Sequence, residues 1–205
     1  MDSNEILNES ISDLVKNNFD DTLIKDNKIV FILNEFVYRV RMPNQGEQAL
    51  TEHKRNLAQL EYMKQEGCIT KKQLILQLKE NNVADIEKLE EVRESLTKEL
   101  KKFWFILATK DSEDKNKITE YSDKITTIQQ NLQQLAMTIG TYLIPSLENR
   151  LEKFYLEYIT SLCTEQNVNG EWKPVWKNFD EFNKADTSLT NKSVASISWL
   201  LLNRR

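Results

Sequence analysis

Apolar residues fall at Ile118, Tyr121, Ile125, Ile128, Leu132, Leu135, Ile139 and Tyr142, in steps of 3, 4, 3, 4, 3, 4 and 3. This is the a/d spacing of a coiled-coil seam, and it predicts a long helix laid against a partner helix. The stretch before it, from a cap at Asp85 to about Ala108, repeats the pattern. Ile86, Leu89, Leu96, Leu100, Phe103 and Leu107 lie near one face, with Arg93 interrupting. Between the two runs, residues 110–117 contain no apolar side chain and read as the polar tip of a helical hairpin. Each run is about 37 Å long at 1.5 Å per residue. Matched lengths around a polar tip favour an antiparallel hairpin within one chain, with a parallel coil between chains as the alternative.

Helical spacing also marks other stretches. Ile6, Leu7, Ile11, Leu14 and Val15, behind a Ser3 cap, predict a short amphipathic helix to about Phe19. Its stripe needs a partner, in this chain or another. Leu50, His53, Leu57 and Leu60, with Met63 or Lys64, form a second stripe in a helix from Gln45 that ends near Gly67. Thr70 and Gln73 match a capping box opening a helix through Leu74, Ile75 and Leu78. Pro145 breaks the long helix, and Ser146 caps another from Leu147 to Cys163. Phe179, Phe182 and Ala185 suggest a short helix, and Thr187 or Thr190 caps a last, mostly apolar one.

One region alternates instead. Lys28–Leu33 and Phe36–Arg41 are rich in β-branched and aromatic residues, and Asn34 and Glu35 supply a two-residue turn. Phe36, Tyr38 and Val40 would share one face; Arg39 and Arg41 would share the other, exposed one. Pro43 ends the second strand. Around Asn169 and Gly170, Trp172 and Trp176 read as anchors of a short hairpin or of a loop pinned to the core. The expected fold is therefore mainly α: an antiparallel coiled-coil hairpin, a helical body and one small N-terminal β-hairpin. The expected divisions are 1–84 (helix, hairpin and helix–turn–helix), 85–142 (arm) and 143–205 (helices packing on the N-terminal part).

Composition agrees, with 29% charged residues, only 4 Gly and 3 Pro in 205. A net charge of −4 argues against a broad nucleic-acid surface. No stretch reaches the ~18 apolar residues of a membrane span, and the polar, acidic Met1–Glu5 is unlike a signal peptide. Cys68 and Cys163 stand apart and read as reduced thiols of a cytoplasmic protein. Catalytic signals are missing: there is one histidine, His53, inside a helical stripe, and no phosphate loop, nucleophile elbow or metal-spaced cluster. Neither a cofactor nor a metal is expected.

What remains are candidate surfaces for protein partners. Arg39 and Arg41 could grip a carboxylate or phosphate beside Phe36 and Tyr38. Phe103, Trp104 and Phe105 cannot all face one helix, at about 100° per residue. Trp172 and Trp176 complete the set.

The stretch Lys28–Pro43, followed by Glu47 and Gln48 and a charged helix, resembles tail-assembly chaperones and virion accessory proteins of tailed phages. There, too, a short hairpin ending in an Arg-x-Pro-like step precedes a helical body. The resemblance covers about a quarter of the chain. It implies a non-enzymatic partner of tail or capsid components, in the host cytoplasm or the virion. The leading expectation is a structural or assembly protein whose partners are proteins, with a second copy of itself as one candidate. The alternative is an inhibitory or regulatory protein that occludes a host enzyme or defence complex.

Overall fold

The computed structural model describes residues 22–25, 27–109 and 115–203. The expected N-terminal helix over Ser3–Phe19 lies outside them, as does most of the polar tip. Among the described residues are five strands and seven helices, so the protein is mainly helical. In chain order they are β1 (Thr22–Lys25), β2 (Lys28–Leu33), β3 (Phe36–Arg41), α1 (Gln45–Met63), α2 (Lys71–Glu80), α3 (Ile86–Thr109), α4 (Lys115–Leu143), α5 (Leu147–Cys163), β4 (Thr164–Val168), β5 (Glu171–Pro174), α6 (Phe179–Asn183) and α7 (Thr187–Leu202). No described helix is long and apolar enough to cross a membrane.

The chain forms two compact units, residues 1–60 with 151–205, and residues 61–150. The division between the units falls within α1 and within α5.

In the first unit the expected hairpin is real but not isolated. β2 and β3 pair through Leu33↔Phe36 around Asn34 and Glu35, which both adopt positive φ (50° and 68°). That is the backbone a two-residue hairpin turn requires. The hairpin is the centre of a five-stranded antiparallel sheet in the order β1-β2-β3-β4-β5. An isolated hairpin is marginal in water, and here strands on both sides complete it. Asn169 and Gly170 make the turn of a true β4–β5 hairpin, both at positive φ.

Alternation gives the sheet two faces. Ile29, Phe31, Tyr38 and Val40 point into a core completed by Ile159 and Cys163 of α5, Phe182 of α6, and Leu189, Ile197 and Leu200 of α7. Phe31 and Tyr38 stack across the strands at 5.7 Å between centroids. α7 is capped by Asp186, not by Thr187 or Thr190. Its carboxylate accepts from the N–H groups of Ser188 (2.8 Å) and Leu189 (3.2 Å). A carboxylate also interacts favourably with the positive end of the helix dipole, which a threonine hydroxyl does not match.

In the second unit, α3 and α4 run in opposite directions against each other. Ile86 and Leu89 at the start of α3 pack with Leu135, Ile139 and Leu143 at the end of α4. Near the other end, the Phe103 and Tyr121 rings lie 5.8 Å apart. All eight positions of the 3/4 series on α4 are buried or half-buried, so the spacing marks the packed face. Arg93 stays exposed and pairs with Glu90 one turn earlier. Thr70 and Gln73 form the expected capping box of α2, and Asp85 caps α3 by accepting from Lys88 N–H at 3.2 Å. Ser146 accepts from Asn149 N–H at 3.4 Å at the start of α5.

Candidate functional site

Alternation places Arg39 and Arg41 on the sheet face opposite the core, and there the cross-strand register brings Glu165 beside them. Arg39 and Glu165 are direct partners in the β3–β4 ladder. The Glu165 carboxylate accepts from Arg39 Nε through one oxygen and from Arg41 Nε through the other, at 3.1 Å for Arg41. Arg41 turns its outer fork to Glu47, donating from Nη1 and Nη2 at 2.8 and 2.7 Å. Further donations reach the carbonyls of Met42 and Leu162, each at 3.3 Å. The Arg39 guanidinium also lies 4.4 Å from the Trp172 ring centre, a cation–π contact.

Two arginines thus meet two glutamates, and the charges cancel. The hydrogen bond from Arg41 holds the Glu47 carboxyl below its ordinary value, against the opposing effect of partial burial. The same bond, with that to Glu165, raises Arg41 above its ordinary value. Nearby, burial pushes the Cys163 thiol up to about 12, and the Glu47 charge adds to the shift. A neutral thiol in a closed core is no nucleophile.

This corrects the expectation of a free arginine grip on an exposed edge. β3 is an interior strand, and its arginines are already held by carboxylates brought from 126 and 6 residues away. Glu165 carries no local sequence signal. Glu47 had one: Asn44 and Glu47 form a reciprocal cap on α1, each side-chain oxygen accepting the other's backbone N–H at 2.9 Å.

The remaining candidates scatter. Tyr38 is buried in the core, and so is Trp176, packed edge-on against Phe182 at 4.8 Å. Trp172 is half-covered by Arg39. Phe36 is exposed beside the β2–β3 turn. In the second unit Phe103 joins the packed face of α3, while Trp104 and Phe105 stand 52% and 69% exposed. The three aromatics divide by helix geometry, with one inward and two outward. Among the described residues, no group of His, Cys, Asp and Glu is placed to hold a metal ion.

The largest surprise is α1. Its buried residues are Thr51 and Ala58, with Gln48, Arg55 and Tyr62 half-buried around them. These lie on one face at steps of 3 and 4. The apolar stripe sits on the opposite side of the wheel. Leu50, Leu57 and Leu60 are 42%, 43% and 59% exposed, and His53 between them is exposed too. The Thr51 hydroxyl is satisfied within the helix by donating to the Glu47 carbonyl at 2.7 Å. So α1 buries a small, polar face and turns its leucines outward. Sequence periodicity finds this stripe; that it faces away from the body becomes visible only in the structure.

No protein-family model, no curated protein and no solved structure matches the chain.

Proposed function

We propose that this protein is a non-enzymatic structural or assembly component that acts by docking other protein chains. The observation that carries the reading is the outward leucine stripe of α1, Leu50, Leu57 and Leu60. Leucines at a/d spacing on a solvated helix fit a helix from a partner, because each would fill a hole between four facing side chains. Exposed Trp104 and Phe105 on α3 offer a second surface. We read the α3–α4 pair as an antiparallel coiled-coil arm, since 3/4 spacing runs along both helices. The resemblance carried by Lys28–Pro43, Glu47 and Gln48 extends the reading to phage virion or tail assembly, in host cytoplasm or virion. The interior Arg–Glu cluster supports a partner that docks through apolar surface rather than through a free guanidinium pair.

The test compares the full-length parent with a Leu57→Glu/Leu60→Glu variant. Light scattering across a dilution series reads self-association. A parent mass above 24.1 kDa that returns to the monomer in the variant identifies the partner as a second copy. For a foreign partner, cross-linking and isolation from the source cells should recover a protein with the parent and lose it with the variant. Recovery of an enzyme in place of structural proteins would favour the inhibitory alternative. Equal masses and equal recovered proteins for both chains would refute α1 as the docking face.

A further inference from the structure

The α3–α4 pair carries more apolar surface than its own seam consumes. In α3 the seam uses Ile86, Leu89, Leu96, Leu100, Phe103 and Leu107. Val92 and Ile106, two heptads apart, widen that face to one side, with Glu99 midway between them. A strict coiled-coil seam takes two positions in seven, and a third apolar position marks a helix packed inside a bundle. Val92 is 46% exposed. It opens onto a groove of about 500 Å3, lined by Leu89, Val92 and Leu96 of α3 and by Asn131, Gln134 and Leu135 of α4. The same flank continues past Glu99, Phe103 and Lys124 toward the other end of the pair.

Charge indicates what fits there. From Ile125 to Leu147 the chain has 23 successive residues without Asp, Glu, Lys or Arg, although 29% of it is charged. The exposed side of α4 is built mainly of Gln, Asn and Thr over this stretch. Interface cores are depleted in charge. Amides both donate and accept hydrogen bonds, as hydroxyls do, so such a face is complementary to its own copy. α3 is self-complementary in another way. Residues 86–97 carry four glutamates against Lys88 and Arg93, and residues 98–109 carry three lysines against Glu99. Two α3 helices laid antiparallel put the acidic half of each on the basic half of the other. A two-fold axis crossing α3 near its middle does this, and it also stacks uncharged α4 on uncharged α4. The face is about 25 Å long from Leu89 to Ile106 and about 20 Å wide across two helices. That is about 500 Å2 in plan, which side-chain relief raises toward the ~800 Å2 per partner of a stable interface. We infer that a second copy of this chain docks on this flank, α3 on α3 and α4 on α4, closing a four-helix bundle around Val92. The surface is separate from the α1 leucine stripe and does not depend on it.

Sedimentation equilibrium of the full-length chain across a dilution series tests this. The parent should approach twice 24.1 kDa. Val92→Lys/Gln134→Lys changes two exposed side chains, charging the neutral groove and setting a lysine against the basic half of the other α3. It should weaken the dimer about tenfold or more at unchanged circular dichroism. Leu57→Glu/Leu60→Glu should leave this dimer intact. In a mixture of differently labelled parent copies, the Val92 methyls should show nuclear Overhauser contacts from one copy to α3 of the other. Four results overturn the inference. They are a parent that sediments as a monomer at every soluble concentration, a dimer unchanged by the groove variant, a dimer lost with the α1 variant instead, and Val92 contacts confined to one molecule, which would make the occupant a segment of the same chain.

Discussion

Replacing Glu165 with glutamine tests whether the Arg39–Arg41 cluster is closed or open for binding. The substitution keeps the shape and removes the charge. It also turns one of two acceptor oxygens into a donor, aimed at a guanidinium that can only donate. The Glu165 side chain is 13% exposed and receives both Nε donors. Each hydrogen bond to a charged group is worth about 1.5–3 kcal/mol net, and glutamine keeps at most one of the two. Arg41 retains its fork on Glu47, and Arg39 retains Trp172, which limits the damage. The expected loss is therefore about 2–4 kcal/mol. That lies above the ~0–1 kcal/mol of an exposed ion pair and at or below the ~3–5 kcal/mol of breaking a fully buried one.

Urea unfolding followed by tryptophan fluorescence measures the loss. Trp172, Trp176 and Trp199 belong to the first unit and Trp104 to the second, so a Trp104→Phe background reports the sheet unit alone. With m near ~2 kcal/mol/M, the midpoint should fall by about 1–2 M with m unchanged. Arg39→Gln in a double-mutant cycle should show coupling above ~1 kcal/mol. A change under ~0.5 kcal/mol would refute the reasoning. The arginines would then be solvated, and a carboxylate or phosphate ligand would again be a fair expectation for them.

Three further outcomes are expected. The Ser193 hydroxyl is buried with no hydrogen-bond partner among the described residues. Ser193→Ala should therefore stabilise the sheet unit by about 1 kcal/mol in the same urea assay. Glu35 holds φ of 68° in the β2–β3 turn, a region that costs an L-residue about 1–2 kcal/mol. Glu35→Gly should stabilise the fold by a net ~0.5–1 kcal/mol, read as a higher melting temperature, since glycine also loosens the unfolded chain. The folded Glu47 carboxyl lies below its unfolded value of 4.5. Its stabilisation is thus complete above pH 4.5 and lost as pH falls from there through the folded value, with a slope of at most about 1.4 kcal/mol per unit. Urea titrations from pH 7 to 3 should show a shallower acid limb in Glu47→Gln than in the parent.

Helices proved legible because their signals are local. The 3/4 spacing on α4, the Thr70–Gln73 capping box and the Ser146 cap each lie within a few residues of what they specify. β2 and β3 were legible from β-branched density and from a turn pair tolerant of positive φ. β4 was not, because Thr164–Val168 is mostly polar and shows no apolar alternation. Its strand state comes from pairing with β3, and strand preference depends on such neighbours more than on composition. β1 is only four residues long and follows a polar run, so it too lacked a signal. The Arg39–Glu165 contact depends on that same long-range pairing, which is why the arginines looked free.

The α1 stripe shows what periodicity leaves open. A 3/4 pattern says which residues share a face, but it carries no sign: the face can point inward to the body or outward to a partner. On α4 the sign is inward, since Ile125, Ile128 and Ile139 are buried. On α1 it is outward, and the buried side is occupied by Thr51 and Ala58. Small residues let a helix backbone approach closely, and a threonine bonded to its own helix can be buried without a large polar cost. The small face of α1 is thus the one used in packing, and the leucine face is the one proposed for docking. Leu50, Leu57 and Leu60 are 42%, 43% and 59% exposed, so each forgoes about half of the ~1.5–3 kcal/mol that full burial of a leucine supplies. Burial of that stripe in a complex would recover the loss, which is the physical basis for the docking face proposed above.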